Sequence, residues 1–225
     1  MKSLIFVDLD GTLEDSRQDM AESVRVVREE FDLRPGAIND WRPHVNAGME
    51  NLYRQCFPEF FQNLDSPERE LVQLEKIRKE YEAVYYRYAV DKTRLYEGVE
   101  DAVKTLSADA TLALYTNKPA KISHKILMEL GINRCFAFII GCDTFEEQKP
   151  SVQPMRKIAE TAEFDPAADR SFYIGDSAGD LKAATAFGAT FIWAAWGYYD
   201  VAPDGAQHAA NVPADLPGII ADLSK

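Results

Sequence analysis

The chain has 225 residues, of which 46% are hydrophobic and 28% are charged, enough for one large domain or for one domain with a smaller insertion. Its 37 acidic and 25 basic residues give a net charge of −12, which disfavours a nucleic-acid-binding surface because such surfaces are usually basic. The longest apolar stretches, 137–141 and 189–197, are too short to span a bilayer. We therefore expect neither nucleic acid nor a membrane as a partner.

The start of the chain and its cysteines indicate a cytoplasmic protein. No long apolar segment follows Met1, so we expect no secretory signal. Cys56, Cys135 and Cys142 are odd in number and lack the CxxC spacing of a zinc site. We therefore expect reduced thiols, as in cytoplasmic proteins.

Five short apolar segments predict the strands of a parallel sheet. Most of them are apolar throughout, which is typical of strands buried on both faces. They are residues 4–7, 111–115, 138–140, 172–174 and 190–194. Apolar residues at helical spacing lie between them, for example Val99, Val103 and Leu106. This alternation predicts an α/β fold with a doubly wound, Rossmann-like parallel sheet.

The segment from Asp15 to Asp91 has a different pattern, which predicts an all-helical insertion. Apolar residues repeat at helical spacing from Met20 to Phe31 and again from Leu71 to Tyr88. Ser66 followed by Pro67 predicts an N-cap and the first residue of the second of these helices.

The change of pattern predicts the domain boundaries. We expect an α/β core domain made of residues 1–14 and 92–225, with a helical cap domain of residues 15–91 inserted after the first strand. For residues 200–225 we expect a loop and a short closing helix without a part in the chemistry.

Polar side chains follow four of the predicted strands, at the point where each strand ends. They are Asp8 and Asp10 after the first strand, Thr116, Asn117 and Lys118 after the second, Lys149 after the third, and Asp176 and Asp180 after the fourth. Ligands of open α/β sheets bind at the carboxyl ends of the strands. We therefore expect these residues to form one site.

The residue types in this set suit phosphate chemistry. Two or three carboxylates around one point can bind a hard cation such as Mg²⁺. A hydroxyl, backbone N–H groups and a lysine beside them can hold a phosphate, and a remaining carboxylate can attack phosphorus. Each residue also has a simpler interpretation, as a turn residue, a helix cap or a surface charge. Their joint occurrence at four strand ends favours a functional site.

Four segments, in this order, resemble the motifs of the haloacid dehalogenase-like (HAD) hydrolase superfamily: "DLDGTLEDS", "YTNKP", "QKPS" and "YIGDSAGDLKAATAFGA". The resemblance extends from Phe6 to Trp196, with a helical insertion at the place of a type 1 cap. "TNKP", "ILMELGI" and "WGY" are most similar to the phosphoglycolate phosphatase-like branch. The resemblance implies a Mg²⁺-dependent phosphatase that acts on a small phosphorylated metabolite, with phosphoglycolate as the first hypothesis.

The resemblance also implies catalytic and metal-binding roles. Asp8 is expected to be the nucleophile, and Asp10 the general acid and base. Asp8, the Asp10 carbonyl and Asp176 are expected to hold Mg²⁺. Similar dehalogenases and phosphonate hydrolases lack the second carboxylate, so Asp10 favours phosphomonoester chemistry.

Further positions are expected to bind the phosphoryl group. Thr116 and the Asn117 N–H would bind its oxygens, and Lys149 would offset its negative charge. Asp180 would orient Lys149 or a metal-bound water. We expect Lys118 to be a surface or loop lysine.

Two places depart from the motif pattern. Lys149 is followed by Pro150, Ser151 and Val152, where relatives often have a second proline two residues after the first. Glu14 stands where relatives more often have an apolar residue.

Cap residues in similar enzymes contact and recognise the leaving group, so we predict that Arg42, His44 or Asn46 contacts the substrate. Two other functions remain open. A phosphosugar mutase shares this motif set and returns the phosphoryl group to a sugar, and a non-catalytic sensor would only bind a phosphorylated ligand. The oligomeric state is not predicted.

Overall fold

The computed structural model describes residues 3–45, 48–62 and 64–225, and the chain divides into two units. The core unit consists of Met1–Asp15 and Arg94–Lys225, and the helical unit consists of Ser16–Thr93. The chain thus changes unit after Asp15 and after Thr93, where the sequence predicts the changes after Glu14 and Asp91.

The secondary structure alternates between strands and helices only in the core unit. The strands are β1 (Ser3–Val7), β2 (Glu14–Asp15), β3 (Arg94–Leu95), β4 (Thr111–Tyr115), β5 (Phe138–Ile140), β6 (Arg170–Gly175), β7 (Thr190–Ala194) and β8 (His208–Ala210). The helices are α1 (Arg17–Glu30), α2 (Ile38–Trp41), α3 (Met49–Cys56), α4 (Pro67–Tyr88), α5 (Val99–Asp109), α6 (Ala120–Glu129), α7 (Gln153–Thr161), α8 (Ala178–Phe187) and α9 (Leu216–Leu223).

The core unit is built on a parallel sheet with strand order β5-β4-β1-β6-β7-β8. β1 is apolar from Leu4 to Val7 and pairs on both sides, with β4 and with β6, as a strand buried on both faces requires. The chain runs outward from β1 through β4 to β5 and then returns to β6 on the other side. The carboxyl ends of β1, β4 and β6 therefore surround the switch point where such sheets bind ligands. The predicted fold class is confirmed.

Three short strands were not expected from the sequence. β8 lies in the C-terminal segment for which the sequence predicts a loop, and it extends the sheet next to β7. Its three residues are too few to show a period, so only pairing with β7 makes them a strand. β2 and β3 form a separate antiparallel pair at the two points where the chain changes unit. The closing helix expected in the C-terminal segment is α9.

The helical unit buries the apolar faces of α1, α3 and α4. Tyr81 on α4 is fully buried, and its hydroxyl donates a hydrogen bond to the Met20 carbonyl oxygen on α1 at 3.2 Å. Its ring packs edge-on against Tyr53 of α3 with 5.6 Å between the centroids. The Ser66 hydroxyl accepts a hydrogen bond from the Arg69 N–H, so the predicted start of α4 at Ser66 and Pro67 is confirmed.

The structure also bears on the cysteines and on membrane spans. Cys56, Cys135 and Cys142 are not joined in disulfide bonds. None of the described helices combines the length and the hydropathy that a bilayer-spanning helix requires.

Candidate active site

The turn after β1 brings two carboxylates to the switch point. The Asp8 N–H donates to the Ile174 carbonyl oxygen at 3.0 Å, which continues the pairing of β1 with β6. The chain then turns back, and the Gly11 N–H donates to the Glu14 carbonyl oxygen at 2.9 Å. Gly11 has a φ of +76°, and a Cβ on it would lie 2.2 Å from Asp176 Oδ2. Only glycine fits this turn, because it tolerates the positive φ and lets the backbone approach Asp176.

Three buried carboxylates meet at the ends of β1 and β6. Asp8, Asp176 and Asp180 each offer one oxygen, and these oxygens lie within 4.8 Å of one another. All three are at most 5% exposed. Like charges this close repel in a poorly solvated site, so the cluster needs cations around it.

Lys149 supplies one of these positive charges. Its Nζ lies 2.7 Å from Asp8 Oδ1 and 2.8 Å from Asp180 Oδ1. The Lys149 side chain is only 5% exposed. Burial favours the neutral amine, but the two carboxylates outweigh it and raise the pKa of Lys149, so the lysine stays charged. Lys149 therefore forms ion pairs with both Asp8 and Asp180.

Asp180 holds Lys149 in place and has little bonding capacity left for a metal. Its Oδ1 lies 3.0 Å from the Tyr173 hydroxyl in addition to Lys149 Nζ, and its Oδ2 accepts from the Ser177 N–H at 2.9 Å and the Ser177 hydroxyl at 2.5 Å. Ser177 in turn is the N-cap of α8, and its hydroxyl accepts from the Asp180 N–H. The alternative interpretation of Asp180 as an exposed carboxylate on a helix face is wrong, because the residue is fully buried.

Asp176 is oriented by the loop after β7. The Tyr198 N–H donates to Asp176 Oδ2 at 2.8 Å, and Trp193 Nε1 donates to the Asp176 carbonyl oxygen at 3.2 Å. A Cβ on Gly197 would lie 2.4 Å from the Asp176 Cβ, so only glycine at this position lets the loop pass this close to Asp176. Sequence reasoning used Trp196-Gly197-Tyr198 only as a mark of the family branch. The contact with Asp176 depends on the β6–β7 pairing, which the sequence does not show.

Burial controls the ionisation of the two remaining carboxylates. The pKa of Asp176 is raised to about 7, chiefly by burial and then by the charge of Asp180. The pKa of Asp8 is also raised well above its ordinary value by burial, and Lys149 partly opposes this. A bound divalent cation would remove the repulsion that contributes to both shifts. The donors are all oxygens, which is the set that Mg²⁺ prefers, so the residues fit this metal.

Thr116 and Asn117 lie at the carboxyl end of β4, next to β1 in the sheet. The Thr116 N–H donates to the Ile140 carbonyl oxygen at 3.0 Å, and its buried hydroxyl accepts from the Lys118 N–H at 3.2 Å. Asn117 is half-buried. Both residues are at the sheet edge where phosphate binding was predicted, and their part in it stays a prediction.

Lys118 lies in the loop after β4, as one of the two predicted placements has it, but it is not at the surface. It is 2% exposed, and its Nζ lies 2.6 Å from Asp10 Oδ1 and 3.7 Å from Glu14 Oε1. Glu14, the residue that departs from the motif pattern, is fully buried in β2. Sequence reasoning noticed both residues but had no signal that they meet, because they lie far apart in the chain.

The residues predicted in the cap belong to the helical unit. Arg42 and His44 lie in a 3₁₀ turn, where Arg42 is exposed and His44 is half-buried. Asn46 lies outside the described residues. Their contact with a substrate stays a prediction.

Comparisons with known proteins identify the family to which the chain belongs. The sequence profile of the haloacid dehalogenase-like hydrolases matches residues 4–194. A phosphoglycolate phosphatase from Chromobacterium violaceum is 32% identical over 96% of this chain and 95% of its own length. Another from Xanthomonas campestris pv. campestris is 33% identical over 86% of this chain and 83% of its own length.

Solved structures show the same fold. One, described as a predicted phosphoglycolate phosphatase from Haemophilus somnus, has a TM-score of 0.81 at 24% identity and covers 97% of this chain and 98% of its own. A HAD-superfamily hydrolase of subfamily IA, variant 1, from Geobacter sulfurreducens has a TM-score of 0.71 at 20% identity and covers 100% and 97%.

The chain therefore belongs to the haloacid dehalogenase-like hydrolase family. Within that family it is a phosphoglycolate phosphatase-like protein, and its class of activity is that of a phosphatase, a phosphoric monoester hydrolase.

Proposed function

We propose that this phosphatase hydrolyses a small phosphomonoester of the phosphoglycolate type through an aspartyl-phosphate on Asp8, with Mg²⁺ as its metal. The observation that carries the proposal is the buried Asp8 carboxylate, held by Lys149 Nζ at 2.7 Å inside a cluster of carboxylates. A structural carboxylate gains nothing from like-charged neighbours, whereas a cation site needs several carboxylates close together.

Asp8 begins the reaction by attacking phosphorus. A bond forms between a carboxylate oxygen of Asp8 and phosphorus while the bond from phosphorus to the leaving oxygen breaks. Asp10 donates a proton to that leaving alkoxide. In the second half, Asp10 takes a proton from the water that attacks the aspartyl-phosphate, which releases phosphate and restores Asp8.

The other residues bind the phosphoryl group. The Thr116 hydroxyl, the Asn117 N–H and Lys149 would hold its oxygens and offset their charge. Asp8, the Asp10 carbonyl and Asp176 would hold Mg²⁺, which supplies further neutralisation of the phosphoryl charge. Asp180 keeps Lys149 in place through the 2.8 Å contact.

The first test is phosphate release from a panel of phosphomonoesters that includes phosphoglycolate, with and without Mg²⁺. We expect turnover in the wild type that depends on the metal and is abolished in Asp8→Asn. Asp109→Asn serves as the matched control, because Asp109 is an exposed carboxylate at the end of α5. Isomerised product without phosphate release would identify a mutase, and binding without any reaction would identify a sensor.

Metal binding has a readout independent of turnover. We expect Mg²⁺ to raise the melting temperature of the wild type and to have no such effect on Asp176→Asn. A wild type that Mg²⁺ does not stabilise would contradict the assignment of the metal site.

The substrate and the residues that recognise it are the next part of the proposal. The names of the relatives favour phosphoglycolate. Alanine substitutions at Arg42, His44 and Asn46 are expected to lower kcat/KM for the physiological substrate and to spare a small aryl phosphate. Equal effects on both substrates would remove these residues from substrate recognition. The cytoplasmic location stays a prediction from the sequence.

A further inference from the structure

A second buried group of charges lies beside the carboxylate cluster, and the proposed function does not use it. Lys118 Nζ lies 2.6 Å from Asp10 Oδ1 and 3.7 Å from Glu14 Oε1. The three side chains belong to the core unit and come from the turn after β1, from β2 and from the end of β4. We call them the Glu14–Lys118–Asp10 group.

The backbone holds the two acidic members of this group side by side. The Gly11 N–H donates to the Glu14 carbonyl oxygen at 2.9 Å, and Asp10 and Glu14 form an isolated β-bridge. The Glu14 N–H also lies 3.3 Å from the Leu9 carbonyl oxygen, which tightens the turn. The backbone of the turn therefore fixes Asp10 and Glu14 relative to each other, and Lys118 contacts them from the loop after β4.

Exposure increases along the group from Glu14 to Asp10. The side chains of Glu14 and Lys118 are 0% and 1% exposed, whereas that of Asp10 is 23% exposed. Only Asp10 is therefore accessible to a substrate. Lys118 contacts both the buried Glu14 and the accessible Asp10.

A buried ammonium and a buried carboxylate are costly to bring out of water, and an apolar pair would serve stability as well or better. Glu14 stands at a position where an apolar residue would fit the motif pattern. Both charges are nevertheless present, and the Lys118 ammonium group contacts Asp10. Conformational control of Asp10 explains this arrangement, whereas stability alone does not.

We propose that Lys118, anchored by Glu14, is a positioning residue that holds the Asp10 carboxyl group for proton transfer to the leaving oxygen. This inference rests on the proposed function, in which Asp10 is the general acid. A general acid works only within about 2.6–3.2 Å of the atom that it protonates. A fixed rotamer of Asp10 therefore offsets the cost of burying the charges of Lys118 and Glu14.

The contact also defines which oxygen carries the proton. An ammonium group only donates hydrogen bonds, so a proton on Asp10 Oδ1 would face Lys118 Nζ directly. The transferred proton therefore belongs on Oδ2. It moves from Oδ2 to the leaving alkoxide as the bond from phosphorus to oxygen breaks, and the attacking water returns a proton later. Lys118 neither gives nor takes a proton in this step.

The test compares two leaving groups in the full-length protein with Mg²⁺. An alkyl phosphate expels an alkoxide that must be protonated, whereas p-nitrophenyl phosphate expels a stable phenolate that does not need the proton. The quantity measured is kcat/KM, because it reports the steps up to leaving-group departure. For Lys118→Met we expect kcat/KM to fall about 10²-fold with the alkyl phosphate. The fall with p-nitrophenyl phosphate is expected to be at least about tenfold smaller.

Lys118→Met leaves Glu14 and Asp10 without their buried cation and can fail to fold. The double variant Glu14→Leu/Lys118→Met removes both buried charges and keeps side chains of similar size, so it is expected to fold. Its kcat/KM is expected to fall more for the alkyl phosphate than for p-nitrophenyl phosphate, as in Lys118→Met. Circular dichroism and the melting temperature verify folding. Lys104→Met is the matched control, because Lys104 pairs with Glu100 on the exposed face of α5.

Asp10→Asn separates this inference from the proposed function. The positioning role is supported if kcat/KM falls more for the alkyl phosphate than for p-nitrophenyl phosphate in Asp10→Asn and in both Lys118 variants. Selective loss in Asp10→Asn, with equal losses for the two substrates in the folded double variant, would overturn it and leave the proposed function intact. Equal losses in Asp10→Asn itself would overturn the acid role of Asp10 and the inference together.

Discussion

The core unit and the helical unit each bury carboxylates but satisfy them in different ways. In the helical unit, Asp19 is 2% exposed and accepts hydrogen bonds from the N–H groups of Lys92 and Thr93 and from the Thr93 hydroxyl, at 2.7–2.9 Å. In the core unit, Asp8 and Asp176 lie beside a third carboxylate. Neutral donors stabilise the Asp19 carboxylate, whereas burial and like charges disfavour the ionised forms of Asp8 and Asp176, and Lys149 offsets this only in part.

The two units also differ in their ion pairs. The lysines of the core site are at most 5% exposed. The pairs of the helical unit lie mainly along helix faces, as between Arg25 and Glu22 on α1, where both side chains are about one-third exposed. Buried pairs are costly and point to chemistry, and exposed pairs contribute little to stability. The predictions below test this contrast from the largest expected effect to the smallest.

Lys149→Met is expected to give the largest effect. It removes the cation between Asp8 and Asp180, so both the nucleophile and the bound phosphoryl group lose charge compensation. We expect kcat to fall about 10³-fold, which corresponds to about 4 kcal/mol. Steady-state phosphate release at saturating Mg²⁺ measures this, with Lys104→Met as the control. A variant that retains a tenth of the wild-type kcat would show that Lys149 does not have the predicted catalytic role.

Asp19→Asn tests the structural carboxylate. The amide has one oxygen in place of two, and its NH₂ group would face backbone N–H donors. We expect the free energy of unfolding to fall by about 2–3 kcal/mol, while kcat/KM per folded molecule stays the same. Urea unfolding measures the change, and Asp65→Asn is the control because Asp65 is exposed and paired with Arg69. A loss of less than about 0.5 kcal/mol would show that Asp19 is not structural.

Asp176→Asn is expected to increase the free energy of unfolding of the metal-free protein, whereas Asp19→Asn decreases it. The pKa of Asp176 is about 7 in the fold, above its ordinary value of 3.8. Between these values the folded state binds more protons than the unfolded state, so the contribution of Asp176 to stability falls as the pH rises from about 4 to about 7. Asparagine does not ionise, so at pH 8 the metal-free variant is expected to be about 1–2 kcal/mol more stable than the wild type.

Thermal unfolding in EDTA at pH 5 and pH 8 measures this difference. The melting temperatures of wild type and variant are expected to lie closer together at pH 5, where the wild-type carboxyl group is protonated. A variant that is less stable than the wild type at pH 8 would show that hydrogen bonding to Tyr198 outweighs the repulsion.

Arg25→Gln is expected to have the smallest effect. It removes contacts with Glu22 and Glu29 on the solvent-facing side of α1. We expect a change of less than about 0.5 kcal/mol in the free energy of unfolding, because water and salt screen exposed pairs. A loss above about 1 kcal/mol would mean that the surface pairs of the helical unit contribute to its stability as a network.

Sequence reasoning located β1, β4, β5, β6 and β7 but missed β8 at one edge of the sheet and the short pair β2 and β3. The segment 111–115 was predicted as a strand, and β4 has these bounds, because apolar residues buried on both faces leave a clear signal. β5 forms the other edge and is also three residues long, but all three are apolar, whereas β8 is His-Ala-Ala and gives no such signal. The same limit applies to Lys118, since a lysine in a loop and a buried lysine look alike in a sequence.

The sequence by itself determined the α/β class, the helical insertion and the residues that gather at the strand ends. It could do so because apolar periodicity reflects burial directly, and because motif spacing follows the turns after each strand. Only the tertiary structure decided which charges meet. Lys118 reaches Asp10 and Glu14, and Tyr198 reaches Asp176, through contacts between strands far apart in the chain. Such contacts depend on sheet order and register, which local sequence patterns do not encode.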